Sequence, residues 1–241
     1  MANVVGLINL HTDISLKGLT ERRPVASVSF LGRYGIIDFV LSNFSNSNVD
    51  KVGILVKEKP RSLLKHIGSG NAWNFNSKKG GISLLYDEKY ANSTMYNHDI
   101  NNMLENIAFL EKSTADYVVI SPAHIITTMD FSDVVEAHEK SGCDVTVVYK
   151  KIKNANEAFI GSDFLKIKDK QVVDFELNKG NRKDRSISLE TYVINRKALI
   201  KMLNKAQKVS VFYDLRDTLN YLKDEMKINA YEYKGFAKCI D

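Results

Sequence analysis

VVGLINLHTDISLKGLT, residues 4–20, is an apolar run of strand length that leads directly into a polar loop. Nucleotide-binding α/β proteins place glycines at such a junction, because backbone N–H groups must approach a phosphate closely. Here the junction over residues 9–15 reads NLHTDIS and contains no glycine. The stretch therefore predicts a buried first strand. It leaves two interpretations of the loop: an ordinary connection, or a phosphate loop that has lost its phosphate.

The same kind of apolar run recurs along the first 150 residues and alternates with helical patterns. Continuous β-branched runs are typical of strands that are covered on both faces, and apolar residues spaced by three and four indicate amphipathic helices. The predicted strands are 4–10, 51–56, 116–121 and 144–150, and the predicted helices are 36–48, 98–112 and 130–142. This order predicts an α/β fold, a mostly parallel sheet with helices on both faces.

The loops that follow the predicted strands are the candidate binding loops, because ligands of such sheets bind beyond the carboxyl ends of the strands. They cover residues 9–20, 57–62 and 121–129. After residue 150 the pattern changes: residues 164–177 alternate around a polar turn and predict a hairpin, and residues 188–206 predict a strand that runs into a helix. We expect one domain over residues 1–241 with a β-rich insertion.

Composition excludes several classes of protein. The net charge of +5, from 34 basic and 29 acidic residues, is spread along the chain, so we expect no nucleic-acid partner. A basic pocket for a phosphorylated small molecule accounts for the excess equally well. Cys143 and Cys239 form no CxxC pair, which favours a reducing compartment and no metal site. No apolar window approaches the ~18 residues of a membrane span, and no signal peptide is evident, so we expect a cytoplasmic protein without a membrane partner.

A specific motif lies between the first two predicted strands. GRYGIIDFVLSNFSNS, residues 32–47, resembles the pattern GGKYRLIDFxLSNxxNSGI of the glucose-1-phosphate adenylyltransferase family. Three later segments resemble the family in the same order: RSLLKHIGSG resembles HSLIRHIQRG, YVVISPAHIITTMDF resembles YVLILAGDHIYKMDY, and SLETYVINRKALIKML resembles ASMGIYVFNRDVLLELL. The resemblance implies a Rossmann-like nucleotidyltransferase fold (GT-A-like). It also implies that the family's C-terminal left-handed β-helix domain is absent from this chain.

The positions that carry catalysis in the family are replaced here. The resemblance places Val25 at a phosphate-binding lysine, Ala123 at a metal-binding aspartate, Asn178 at a sugar-phosphate lysine and Tyr213 at a second metal aspartate. The family's glycine-rich GGxGxRL loop corresponds to NLHTDISL. The resemblance thus implies a vestigial nucleotide loop made of Asn9, Leu10, His11, Thr12, His98 and Asp99. Asp99 could instead cap the predicted helix, and His124 is expected to be structural.

The chemistry of the family explains why these replacements matter. A sugar phosphate attacks the α-phosphorus of ATP, and because both reactants are anionic, catalysis depends on Mg²⁺ and cationic side chains. We therefore expect no catalytic residues, no metal and no cofactor. The resemblance implies a silenced regulatory subunit of glycogen biosynthesis that pairs with a catalytic adenylyltransferase subunit in a hetero-oligomer. Two alternatives stay open: an active enzyme that uses ATP and Mg²⁺ through Asp87, Asp214 and Asp217, and a stand-alone ligand sensor.

A basic group in the motif region suggests allostery. The resemblance places Arg33, beside Gly32, at the family's sugar-phosphate effector site, and Lys57, Lys59 and Arg61 in a loop that couples effector and active sites. We expect a phosphorylated small-molecule effector to bind there. An alternative interpretation is that these are solvated charges in exposed turns.

Overall fold

The computed structural model describes residues 2–75, 80–93, 95–209 and 214–240. Helices and strands alternate along the first 150 residues. The strands are β1 Val4–Asn9, β2 Ser29–Phe30, β3 Tyr34–Gly35, β4 Lys51–Val56, β5 Gly81–Tyr86, β6 Tyr117–Pro122, β7 Ile125–Thr127, β8 Val145–Ile152, β9 Asp163–Lys168, β10 Gln171–Leu177, β11 Arg185–Asn195, β12 Ile228–Glu232 and β13 Ala237–Cys239. The helices are α1 Ile37–Asn46, α2 Pro60–Ile67, α3 Asp99–Glu105, α4 Ile107–Glu111, α5 Phe131–Ser141, α6 Arg196–Val209 and α7 Leu215–Leu222.

One large sheet organises the described residues, with nine strands in the order β5-β4-β1-β6-β11-β8-β12-β10-β9. The first four strands are parallel, as predicted, and Ile8 of β1 lies between Ile54 and Ser121. Strand β11 then runs antiparallel to both β6 and β8. The sheet is therefore parallel in its first half and mixed in its second, because β11 enters from the hairpin insertion in the opposite direction.

Helices cover both faces of the sheet, which confirms the predicted α/β class. Within β1, Ile8 packs into the apolar layer that contains Phe44 of α1 and Phe131 of α5. Its neighbour Leu7 points to the other layer, which contains Leu199 of α6. Because successive residues of a strand face opposite sides, a strand buried on both faces has the continuous apolar sequence from which it was predicted.

Most predicted elements form near their predicted limits. The segment 98–112 differs, because it divides into α3 and α4 at Asn106. The Asn106 side chain donates to the carbonyl oxygen of Tyr86 and to that of Asn102. A side-chain amide that bonds to backbone groups competes with helical hydrogen bonding, which explains the break. Helix α5 has Asp130 as its N-cap and Gly142 in the left-handed region after its last residue, as predicted.

The predicted hairpin is also present. Strands β9 and β10 pair antiparallel, and the turn between them places Asp169 and Lys170 at positive φ. Strand β11 runs into α6 as expected. In the described part of the chain, no helix combines the length and the apolar character that crossing a membrane requires.

Candidate functional site

A cleft lies at the carboxyl edge of the parallel strands, where the loops after β1, β4 and β6 meet as predicted. It has two parts. The first, which we call the loop-side cavity, has a volume of about 330 Å³ and is lined by residues of all three loops, among them Leu10, Lys17, Arg23, Val25, Lys59, Ala123 and His124. The second, the acidic cavity, has a volume of about 390 Å³ and is lined by residues that include His11, His98, Asp99, Asp163, Glu190, Asp214 and Arg216. Both cavities share Asn9, Thr12, Asp13 and Lys57.

The first two backbone N–H groups of the loop after β1 are committed to bonds within the protein. The N–H of Leu10 donates to the carbonyl oxygen of Leu55, at 3.1 Å. The N–H of His11 donates to the side-chain oxygen of Asn9, also at 3.1 Å. A phosphate loop needs free N–H groups that point at the ligand, and the first two N–H groups of this loop are occupied.

His11 is an uncharged part of this loop. Its ring Nδ1 lies 3.1 Å from the same Asn9 oxygen that accepts the His11 N–H. Burial, together with the nearby charges of Lys57 and His98, lowers the pKa of His11 to about 3, against the opposing effect of a hydrogen bond with Asn97. His11 is therefore neutral at physiological pH and supplies no charge for binding a phosphate.

Asp99 joins three elements at the floor of the cleft. Its Oδ2 accepts from the Asn9 side-chain amide at 2.8 Å, and its Oδ1 accepts from the N–H of Leu215, the first residue of α7, at 3.0 Å. Burial, and secondarily the charge of Asp214, raises the pKa of Asp99 to about 7. The interpretation of Asp99 as the cap of its own helix is wrong: His98 occupies the N-cap position of α3, and the Asp99 carboxylate is used by β1 and α7.

An ion-pair network lines the other side of the acidic cavity. Arg216 contacts Asp163 at 3.1 Å and Asp217 at 2.8 Å. Burial raises the pKa of Asp163 to about 6, against the opposing effect of Arg216. Sequence reasoning did not identify Asp163 or Arg216 as site residues. The only sequence signal was the charged run DLRD at residues 214–217.

Glu190 is a further residue that the sequence analysis missed. It lies at a bulge in β11, between Ser188 and Thr191, with φ +49°. Its Oε2 accepts from the Thr12 hydroxyl at 3.2 Å, and its Oε1 lies 3.6 Å from Nε2 of His124. Thr12 and His124, on two different loops, are thereby linked through one carboxylate.

Comparison with known proteins agrees with this fold. The sequence profile of a family described as nucleotidyl transferase matches residues 15–231. The chain belongs to the nucleotidyl transferase family. A solved structure of a Bacillus anthracis protein, described as a candidate glucose-1-phosphate thymidylyltransferase in complex with sucrose, has a TM-score of 0.71 and 13% sequence identity. That match covers 98% of this chain and 89% of the other, and it supports the nucleotidyltransferase fold.

Curated relatives with higher identity are glucose-1-phosphate adenylyltransferases. The protein from Fusobacterium nucleatum is 32% identical over 230 residues, which cover 93% of this chain and 60% of the relative. The protein from Clostridium acetobutylicum is 32% identical over 226 residues, covering 92% and 59%. The protein from Thermotoga neapolitana is 32% identical over 205 residues, covering 84% and 48%. The chain thus spans about half to three fifths of the length of these relatives.

The positions at which the resemblance implies lost catalytic residues fall in different places in this member of the nucleotidyl transferase family. Val25 and Ala123 line the loop-side cavity, as the resemblance implies. Asn178 is buried and lines neither cavity, because its amide donates to the carbonyl oxygens of Ala155, at 2.8 Å, and Phe159, at 2.9 Å. Its side chain therefore holds the turn before β9. Tyr213 lies outside the described residues.

The predicted effector residues are not gathered in the cleft. Lys57 and Lys59 line the loop-side cavity, where Lys57 pairs with Asp13 at 2.5 Å and Lys59 with Glu58 at 2.8 Å. Gly32 and Arg33 lie in the exposed turn between β2 and β3, and Arg61 is exposed in the first turn of α2. The structure divides the predicted group between the cleft and the surface, and the effector role itself stays a prediction.

The donor set for a divalent cation is also divided. Asp87 accepts from the N–H of Tyr90, Asp214 accepts from the N–H of Asp217 as the N-cap of α7, and Asp217 pairs with Arg216. Over residues 2–75, 80–93, 95–209 and 214–240, no group of three or more acidic, histidine or cysteine side chains is placed to hold a metal ion. The described residues therefore do not fit the Mg²⁺ that nucleotidyl transfer uses.

Proposed function

We propose that this chain is the nucleotidyltransferase part of a catalytically silenced regulatory homologue of glucose-1-phosphate adenylyltransferase. In this role it modulates ADP-glucose synthesis by an active partner subunit, for glycogen biosynthesis. One observation carries the proposal: the loop after β1 has no glycine, and its Leu10 and His11 N–H groups are bonded within the protein. The names of the curated relatives supply the substrate class.

The electrostatics of the cleft support a silent site. Transfer of a nucleotidyl group between two anions depends on cations that neutralise charge as it moves. At the positions that the resemblance assigns to a lysine and a metal aspartate, this cleft has the uncharged side chains of Val25 and Ala123. Lys57 is already neutralised by Asp13. Loss of one such charged group typically costs ~10²–10³ in rate, so loss of several leaves no useful activity.

The assay is pyrophosphate release from ATP, glucose 1-phosphate and Mg²⁺ at high protein concentration. We expect none from the parent chain. A variant with Val25→Lys, Ala123→Asp and Tyr213→Asp should gain measurable release, because it restores one cation and two carboxylates at the matched positions. Clear turnover by the parent would contradict the proposal. The matched control is Val173→Lys, which adds a cation to the half-exposed surface of β10, away from the cleft, and should gain nothing.

A second candidate is an active nucleotidyltransferase with displaced metal ligands. The observation in its favour is that Asp99 and Asp214 line the same cavity, where the charge of Asp214 contributes to the raised pKa of Asp99. The same assay separates the two. Under this candidate the parent releases pyrophosphate, and Asp214→Asn abolishes that release.

A further inference from the structure

The backbone at Glu190 has a conformation that a glutamate seldom adopts. Its φ of +49° lies in the left-handed region, which is costly for residues with a Cβ. The register of β11 against β8 shifts at this point, between Ser188 and Thr191. A long acidic side chain therefore projects from a turn that a glycine would form without strain.

The Glu190 carboxylate lies at the border of the two cavities. It lines the acidic cavity, while its two partners, Thr12 and His124, line the loop-side cavity. Burial acts to raise the pKa of Glu190, but His124, the Thr12 hydroxyl and Arg216 outweigh burial and lower that pKa. The side chain is therefore a fixed negative charge at neutral pH, held at a distance of 3.2 Å from the Thr12 hydroxyl.

The cavity that Glu190 lines is rich in carboxylates. Asp99, Asp163 and Asp214 line the same cavity. Its described lysine and arginine side chains, Lys57 and Arg216, are each already paired with carboxylates: Lys57 with Asp13, and Arg216 with Asp163, Asp214 and Asp217. An incoming phosphate would have to displace one of these ion pairs and approach the Glu190 carboxylate as a like charge.

We propose that Glu190 is a specificity-determining residue that excludes phosphorylated ligands from the acidic cavity. The cavity is large enough for a small ligand, since such sites occupy about 300–1,000 Å³, so the exclusion is electrostatic. This inference rests on the proposed function, because it names the class of ligand that a silent cleft rejects. Glu190 would then oppose anion binding directly, in addition to the absence of charged side chains at Val25 and Ala123.

The test is equilibrium binding of glucose 1-phosphate and of inorganic phosphate, followed by isothermal titration calorimetry without ATP. We would compare the parent chain with Glu190→Gln and Glu190→Gly. Glutamine keeps the shape and an acceptor for Thr12 but removes the charge. Both variants should bind both anions at least about tenfold more tightly than the parent, because a like charge close to the bound anion is gone. The gain should shrink as salt is added.

Glu139→Gln is the matched control. It removes one negative charge from the exposed surface of α5, where Glu139 borders a different cavity with Ala2 and Val4. Its affinity for both anions should equal that of the parent. Circular dichroism and melting temperature establish that each variant is folded.

Two results overturn the inference: equal affinity of the parent and both Glu190 variants, or a gain in Glu190→Gly without a gain in Glu190→Gln, which would show a steric effect. The proposed function is tested separately, by pyrophosphate release, whereas this inference is tested by anion binding. A parent that releases pyrophosphate but binds phosphate more weakly than Glu190→Gln would overturn only the silenced role.

Discussion

At the scale of single residues, buried carboxylates dominate the chemistry of this cleft. Asp99 accepts from Asn9 and from the N–H of Leu215, so one side chain fixes the end of β1 and the start of α7. Its charged form is nevertheless disfavoured by burial and by Asp214. The protein therefore retains a group whose ionisation costs stability but whose position organises the site.

The pH dependence of stability tests this account of Asp99. Its folded-state pKa of about 7 lies above its ordinary value of 3.8, so the folded protein binds this proton more tightly than the unfolded chain. Its stabilising contribution is full below about pH 4 and is lost as the pH rises through about 7. Asp99→Asn should lack this loss. Between pH 4 and pH 8 its free energy of unfolding should therefore fall by roughly 2–4 kcal/mol less than that of the parent.

Urea denaturation across that pH range measures the effect. The control is Asp184→Asn, which neutralises an exposed aspartate in the loop before β11. The pKa of Asp163 is also raised, to about 6, so in every variant the free energy of unfolding still falls by a smaller amount as the pH rises. If Asp99→Asn and the parent lost stability in parallel over this range, Asp99 would not be the titrating group.

At the scale of elements, close packing of β1 against α1 holds the first strand in the position from which its loop enters the cleft. Gly6 of β1 faces the ring of Phe44, and a Cβ at Gly6 would lie 2.7 Å from that ring. Phe44 is fully buried, and its ring lies 4.5 Å, centroid to centroid, from the ring of Phe131. The ring therefore has little room to move.

Gly6→Ala should consequently destabilise the protein by roughly 1–3 kcal/mol, as overpacking of a core does. Phe44→Leu in the Gly6→Ala background should recover part of that loss, so the two substitutions couple favourably in a double-mutant cycle measured by urea denaturation. Gly18→Ala is the control, since a Cβ there has no neighbour within 4 Å and should change stability by less than about 0.5 kcal/mol. Strict additivity of the two core substitutions would contradict the packing argument.

At the scale of the whole molecule, the parallel order β4-β1-β6 brings three loops to one edge, which is the edge where open α/β sheets bind their ligands. The exposed turn with Gly32 and Arg33 lies outside both cavities. A regulatory role therefore needs communication between this surface turn and a partner molecule.

Mixing experiments test the role of the assembled protein. The intact polypeptide should raise the rate of an active glucose-1-phosphate adenylyltransferase subunit, and a hexose phosphate should change that rate further. Arg33→Ala should weaken the response to the hexose phosphate by at least about fivefold, a typical allosteric coupling. The control Arg182→Ala removes an exposed arginine from the loop before β11 and should leave the response to the hexose phosphate unchanged. An unchanged rate on mixing would exclude the regulatory role.

The sequence by itself determined the fold class, the order of the four strands and three helices that it predicts before residue 150, the N-cap at Asp130 and the three loops of the cleft. The elements and the cap follow from periodicity and capping, which act over a few residues. The loops follow from the rules for parallel sheets. The resemblance located Val25 and Ala123 in the cleft for the same reason, because both lie beside recognisable local motifs.

Only the tertiary structure decided which acids share the acidic cavity. Asp99 and Leu215 are 116 residues apart, and Thr12 and Glu190 are 178 apart, so no local pattern records either contact. The antiparallel insertion of β11 between β6 and β8 brings Glu190 to the edge where the loops after β1 and β6 end. Asn178 lines neither cavity, because a motif match fixes a position in the chain, while hydrogen bonding to Ala155 and Phe159 decides where the side chain points.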